Sequence, residues 1–303
     1  MDHSSGRLDL HSLVGFRGGP HLLITAGVHG DEPEPMEAVR RLAQQVDPAA
    51  LAGCVTLVPV VNRVAQELRR RVADDGLDLA RVCPGKPDGT VTEQSAWQLS
   101  QLIRQADYYI DLHTGGAAYL IWPMAGYILH PDESILAKQR EMARAFNLPV
   151  VWGTCPELQG RSLSVARDAN VPAIYCEYLG SDQFQAQTVE PLVTGCLNVM
   201  GALGMVDRHP PISAIRWWAE DPAPGSGNMQ VAHAAPVAGI FYPLREPGDE
   251  ISPGQPIGEI EVSVPEKLVL VPARTSGHVL AIHTPGPVGE GDGLGVVVRF
   301  SAV

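Results

Sequence analysis

The sequence contains no Cys-x-x-Cys pair, and its cysteines (Cys54, Cys83, Cys155, Cys176 and Cys196) are odd in number. Those absences argue against a disulfide scaffold and against a cysteine-ligated zinc ribbon. Positive charge is scarce: Lys and Arg total 22 against 34 Asp and Glu, for a net charge of −12. A nucleic-acid binder needs a basic face to displace the counterions of phosphates, so no nucleic-acid partner is expected. An anionic substrate stays open, because a few buried arginines can build a positive pocket inside an acidic protein. No apolar run approaches the roughly 18 residues of a membrane span without meeting Gly, Pro or charge. The opening stretch, MDHSSGRLDLHSLVGF, lacks the basic start and long apolar core of a signal peptide. The expectation is therefore a soluble, cytoplasmic protein without a membrane partner; homo-oligomerisation stays open.

Apolar residues make up 45% of the 303 and charged residues 18%, which suffices for a sizeable core. From residue 21 to about 205, strand-like and helix-like runs alternate. HLLITAGV (21–28) is an apolar strand, followed by a helix over 34–46 with Met36, Val39, Leu42, Ala43 and Val46 at helical spacing. CVTLVPVV (54–61), DYYIDLH (107–113) and VPAIYCEYL (171–179) read as further strands. Helices are expected over 92–106, 134–147 and 189–204, the last closed by Gly204. This alternation predicts an α/β fold with a mostly parallel sheet flanked by helices. After residue 208 the texture changes. RHPP and EDPAPGSG are linker-like, and short apolar runs separated by Gly/Pro turns predict a small all-β unit.

The sharpest local feature is AGVHGDEPEP (26–35), where a strand ends in a Gly-rich turn carrying His29 and Glu32. An imidazole and a carboxylate at this spacing suit a metal such as zinc, which takes N and O ligands in catalytic sites. Alone the pair is weak, since 10 His and 17 Glu in 303 residues lead to about half of one His-x-x-Glu by chance. A second copy, His130 and Glu133, has the look of an acidic first helical turn. What favours the first copy is its company. His113 ends the apolar run DYYIDLH, and open α/β sheets place ligands at such carboxyl ends. Glu177 closes another apolar strand, where an unpaired carboxylate needs a partner or a function.

In order along the chain, GVHGDE, VNRVAQELRRR with LDLARVCPG, DLHTG and CEYLG resemble the succinylglutamate desuccinylase/aspartoacylase family, within the zinc carboxypeptidase superfamily. The likeness covers roughly residues 20–205, and the β-rich tail looks like the C-terminal β domain of bacterial members. It implies a hydrolase domain over 1–215 and a β-rich domain over 216–303. It also implies one zinc ion per chain held by His29, Glu32 and His113. Glu177 would be the general base that takes a proton from zinc-bound water. Asp78 would orient the first ligand histidine, and Arg71, or its neighbour Arg69 or Arg70, would polarise the scissile carbonyl. Arg81 and Asn62 would contact substrate, and Arg161, in LQGRSL, is a separate candidate for a second anion contact. Two positions depart from the pattern: Arg63 stands where the family has Pro, and Ala80 replaces the Asn of Asp-Leu-Asn-Arg. Loss of that Asn changes carboxylate recognition and leaves the substrate open. The resemblance implies cleavage of the amide of a small N-acyl amino acid or related N-acyl amine. A metallocarboxypeptidase acting on short peptides, or a non-catalytic binder of acyl amino acids, are the alternatives.

Overall fold

The computed structural model describes residues 8–228, 233–263 and 266–303. In the first two thirds the chain runs β1 (His11–Val14), β2 (Arg17–Thr25), α1 (Pro33–Gln45), β3 (Ala52–Val58), α2 (Arg63–Leu68), α3 (Leu79–Val82) and α4 (Val91–Ile103). There follow β4 (Tyr108–His113), β5 (Tyr119–Ile121), β6 (Met124–Ile128), α5 (Glu133–Phe146), β7 (Val150–Thr154), α6 (Ser162–Asp168), β8 (Ala173–Glu177), α7 (Ala186–Ala202) and β9 (Trp217–Glu220). The last third is β10 (Gly239–Pro243), β11 (Glu250–Ile251), β12 (Pro256–Ser263), β13 (Glu266–Pro272), β14 (Gly277–His283), β15 (Gly286–Val288), β16 (Gly295–Val298) and β17 (Ser301–Ala302).

A nine-stranded mixed sheet in the order β1-β3-β2-β4-β8-β6-β7-β9-β17 forms the spine. Its centre is parallel, from β3 through β2 and β4 to β8, and β6 then runs antiparallel to β8. Strand alternation decides what each face carries. Leu22 and Ile24 of β2, Ile110 and Leu112 of β4, and Ile174 and Cys176 of β8 enter one buried cluster beneath α1, α5 and α7. Leu23, Tyr109 and Ala173 enter a second cluster on the opposite face, with Leu99 and Ile103 of α4 and Val165 and Ala166 of α6. Each fully buried Leu or Ile contributes roughly 1.5–3 kcal/mol, so the two clusters fix which face every strand presents. The same period of two places Asp111, His113, Tyr175 and Glu177 on the second face, where the sheet's carboxyl ends open.

The expected α/β architecture is present, with element ends shifted by a few residues. Strands β6 and β7 were not read from the sequence. They lie buried along their whole length, so they carry no polar alternation to reveal them. Strand β9 runs into the first residue of EDPAPGSG, Glu220, and pairs in parallel with β7.

The last third builds two small sheets, β13-β12-β10-β15 and β11-β14-β16, around Phe241, Ile257, Ile260, Val279 and Leu294. It is joined to the first two thirds of the chain twice. Strand β14 pairs with β5, His283 opposite Tyr119, and β17 pairs with β9. Ile121, Met124, Val150 and Trp152 pack against Leu280, Ala281 and Val296 in the seam. No helix among the described residues is long and apolar enough to cross a membrane.

Candidate metal and substrate site

The turn after β2 is set by backbone. Gly27 adopts φ +65°, a region open to glycine, and Ala26 and Gly27 accept hydrogen bonds from Val61 and Asn62 at 3.0 and 2.8 Å. This pins residues 26–32 across the carboxyl end of β3. Glu32 occupies the position before α1 where a side chain would cap the helix, yet makes no capping bond. Its carboxylate turns inward instead. Oε1 lies 2.6 Å from His29 Nδ1, and Oε2 lies 3.0 Å from His113 Nδ1. On the neighbouring parallel strands β4 and β8, His113 stands opposite Glu177.

The far sides of both rings also meet carboxylates. His29 Nε2 is 3.2 Å from Asp78 Oδ1, and His113 Nε2 is 3.4 Å from Asp111 Oδ2. A carboxylate only accepts, while a neutral imidazole has one N–H to give. Four ring nitrogens facing four carboxylate oxygens are therefore satisfied by two imidazolium rings or by a cation at the Nδ1 side. His29, Glu32 and His113 are 4%, 1% and 7% exposed, and one donor atom from each lies within 4.8 Å of the others. The donor set thus fits a metal ion, with Asp78 and Asp111 fixing the rings behind it, as outer carboxylates do for metal-bound histidines.

The electrostatics agree. Burial pulls the His29 pKa down, but Glu32 and Asp78 outweigh it and leave it raised. Burial opposes the same shift at His113, where Asp111 and Glu32 hold the pKa well above its ordinary value. Burial would raise Glu32, yet the two histidines keep it below the usual carboxylate range. Glu177 behaves oppositely. Burial, reinforced by Glu32, pushes it up to about 8, and its Oε2 is buried with no hydrogen-bond partner.

Arg71 donates from Nη2 and Nε to Asp78 Oδ2 at 3.0 and 3.3 Å. The Arg69–Arg71 triplet is resolved by geometry. Arg69 closes α2 with φ 52°, Arg70 reaches the exposed Asp74, and Arg71 alone of the three lines the cavity. That cavity opens to solvent at the carboxyl edge of the sheet. It brings together His29, Glu32, His113, Glu177, Arg71, Arg81 and Arg161. Asp78 lies behind His29 and caps α3 through Ala80 N at 2.9 Å. Asn62 is not brought to the cavity: it caps α2, its Oδ1 accepting from Ala65 N at 3.2 Å. The second His-x-x-Glu is structural. His130 accepts from Asp132 N at 3.0 Å, and Glu133 pairs with Arg140 at 2.6 Å.

Several groups around the cavity were not singled out from sequence. Asp111 takes Thr25 Oγ1 at 2.8 Å and Ser162 Oγ at 2.5 Å. Arg161 donates to the Gly227 carbonyl and to Asn228 Oδ1, each at 3.0 Å, so its partners are the last residue of a stretch read as linker and the residue after it. Asp111 was detectable, since Asp-x-His on a strand puts both side chains on one face. Asn228 had no such signal.

Fold and site together define an α/β protein with a buried His–Glu–His cluster at the carboxyl edge of its sheet. Residues 18–203 match the succinylglutamate desuccinylase/aspartoacylase catalytic domain, and the chain belongs to that family. Over 133 residues it is 37% identical to the N-alpha-acetyl-L-2,4-diaminobutyric acid deacetylase of Halomonas elongata, covering 43% of this chain and 39% of that protein. Over 123 residues it is 31% identical to the succinylglutamate desuccinylase of Burkholderia thailandensis, covering 36% and 35%. The matched stretches thus span about two fifths or less of these relatives. Both names denote deacylating hydrolases. The crystal structure of a succinylglutamate desuccinylase/aspartoacylase from Rhodobacter sphaeroides superposes with a TM-score of 0.85 at 26% identity, covering 97% of this chain and 90% of that one.

Proposed function

We propose that the protein is a zinc-dependent amidohydrolase that cleaves the amide bond of a small N-acyl amino acid, releasing a carboxylate and an amine. The observation that carries this reading is the meeting, in one cavity, of the buried His29–Glu32–His113 donors with Glu177, a buried carboxylate whose Oε2 has no partner. Zinc bound there would supply Lewis acidity and lower the pKa of water to about 7.

The chain's own residues then divide the work. Glu177 accepts a proton from the attacking water as the water oxygen bonds to the acyl carbon. It returns that proton to the nitrogen as the C–N bond breaks. Arg71, oriented by its two bonds to Asp78, faces the charge that develops on the acyl oxygen. Asp78 and Asp111 hold the two imidazoles in their ligating orientation. Arg81 and Arg161 present guanidinium groups for a substrate carboxylate, a pairing suited to bidentate recognition.

Glu177→Gln keeps the shape and removes the base. Amine release should fall by about 10²–10⁴-fold, while metal analysis still finds one zinc per chain. Hydrolysis at the parental rate would overturn the assignment of Glu177.

A further inference from the structure

The acids that line the cavity are Glu32, Asp111 and Glu177. Glu32 and Asp111 face the two imidazoles at 2.6–3.4 Å, and Glu177 is the base of the proposed reaction. Among the described residues no other Asp or Glu lines the cavity. A cationic side chain on the substrate therefore meets no counter-charge of its own.

The wall around Arg81 and Arg161 carries aliphatic side chains beside Thr154 and Tyr175. Ala80, Ile128, Leu158 and Leu163 line the cavity, and Ala80 packs on the buried cluster that holds the other three. Local geometry keeps this wall at the arginine end. Cys83 N donates to the Gly160 carbonyl at 3.0 Å, and a Cβ on Gly160 would collide with the Arg81 carbonyl. On the other side, Leu158 Cδ1 would stand 3.0 Å from a Cβ on Gly227, whose carbonyl takes the Arg161 guanidinium. Leu158 thus sits beside the seat of Arg161, two residues from the Gly160 that packs on the Arg81 backbone. The arginines also feel each other. Burial first, and Arg161 next, lower the Arg81 pKa to about 10, a repulsion that one bridging carboxylate relieves.

We propose that this site selects N-acyl amino acids with an uncharged, apolar side chain, the α-carboxylate lying between Arg81 and Arg161 and the side chain on Ala80, Ile128, Leu158 and Leu163. The inference rests on the hydrolase reading and narrows it. An aspartate side chain would press a second carboxylate onto Ala80 and Leu158, and a diaminobutyrate side chain would bring an ammonium without a partner. Either charge would lose water with no compensation.

The test uses the zinc-loaded protein and nine substrates: the Nα-acetyl, Nα-formyl and Nα-succinyl forms of L-leucine, L-aspartate and L-2,4-diaminobutyrate. Within the acyl series that turns over, leucine should lead in kcat/KM by about tenfold or more. A lead for aspartate or diaminobutyrate, or equal rates for all three, would overturn the apolar seat and leave the hydrolase reading standing. No amine from any of the nine would overturn the hydrolase reading, and this inference with it. Calorimetric binding to the Glu177→Gln variant gives a readout without turnover and should rank the side chains in the same order; equal affinities would overturn the proposal. Ala80→Asn restores an amide to the wall and should lower the leucine-over-aspartate ratio about tenfold. An unchanged ratio would remove Ala80 from the selecting wall.

Discussion

The Asp111 carboxylate accepts from Thr25 and Ser162 at 2.8 and 2.5 Å and stands 3.4 Å from His113 Nε2, at 1% exposure. Three elements, β2, β4 and α6, thereby converge on the orientation of a single imidazole. Asp111→Asn replaces an acceptor oxygen by a donor amide and removes the charge that stabilises the ring. Zinc affinity, measured by chelator competition, should fall about 10–100-fold, while circular dichroism stays that of the parent. Unchanged affinity would mean that His113 is held by packing alone. At this scale much of the candidate site was legible. His29, Glu32, His113 and Glu177 lie at strand ends or in the turn after one, where a polar residue closing an apolar run has to be explained. Asn62 illustrates the opposite case: it sits at the right place in a motif, but its side chain caps α2. Spacing along a chain does not say whether an amide points at substrate or at its own backbone.

Among elements, β9 owes its place to an ion pair as well as to its ladder with β7. Arg140 of α5 donates to Glu220 from Nε and Nη2 at 2.7 and 2.8 Å, and the Tyr127 hydroxyl donates to the same carboxylate at 2.5 Å. Arg140's hydrogen bonds, against the opposing effect of burial, hold the Glu220 pKa below its ordinary value. A depressed carboxylate stabilises the fold above its unfolded pKa, and that stabilisation disappears as pH falls through the folded value. Glu220→Gln should therefore cost about 1 kcal/mol near neutrality, or about 2 °C in Tm. The gap from the parent should close in thermal melts taken below the ordinary carboxylate range of about 4. A gap that persists in acid would mean that shape, not charge, holds β9. Strands β4 and β8 could be read because each ends in a charged residue after an apolar run. Strand β6 could not, since MAGYI is buried throughout and follows Pro123. Trp217–Glu220 was hidden by the proline- and glycine-rich residues after it, which look like a linker whatever precedes them.

Over the whole molecule, a chain of net charge −12 turns three arginines into one cavity. The segment beyond the matched catalytic stretch helps to finish that cavity. Gly227 and Ala281 line it, Asn228 holds Arg161, and the Tyr119 hydroxyl donates to the Gly293 carbonyl at 2.8 Å. Asn228→Ala removes one of the two acceptors that fix Arg161, at a distance from the reacting bond. KM should rise about fivefold, the worth of roughly 1 kcal/mol, with kcat unchanged in steady-state assays. A fall in kcat at constant KM would assign Asn228 to a different task. The arginines were legible in the sequence, but the contact of Arg161 with Asn228 was not, because it joins residues 67 apart that meet only in the folded chain.

The pairing of β5 with β14 also orders events in time. Translation delivers His29, Glu32 and His113 first and Glu177 later, well before Asn228 and Ala281 exist. Domains fold largely in that direction on the ribosome. The nascent chain therefore holds the candidate donors and the proposed base while the cleft beside Arg161 is still unfinished. The candidate donors and the aliphatic wall are made early, and the partners that fix Arg161 arrive later.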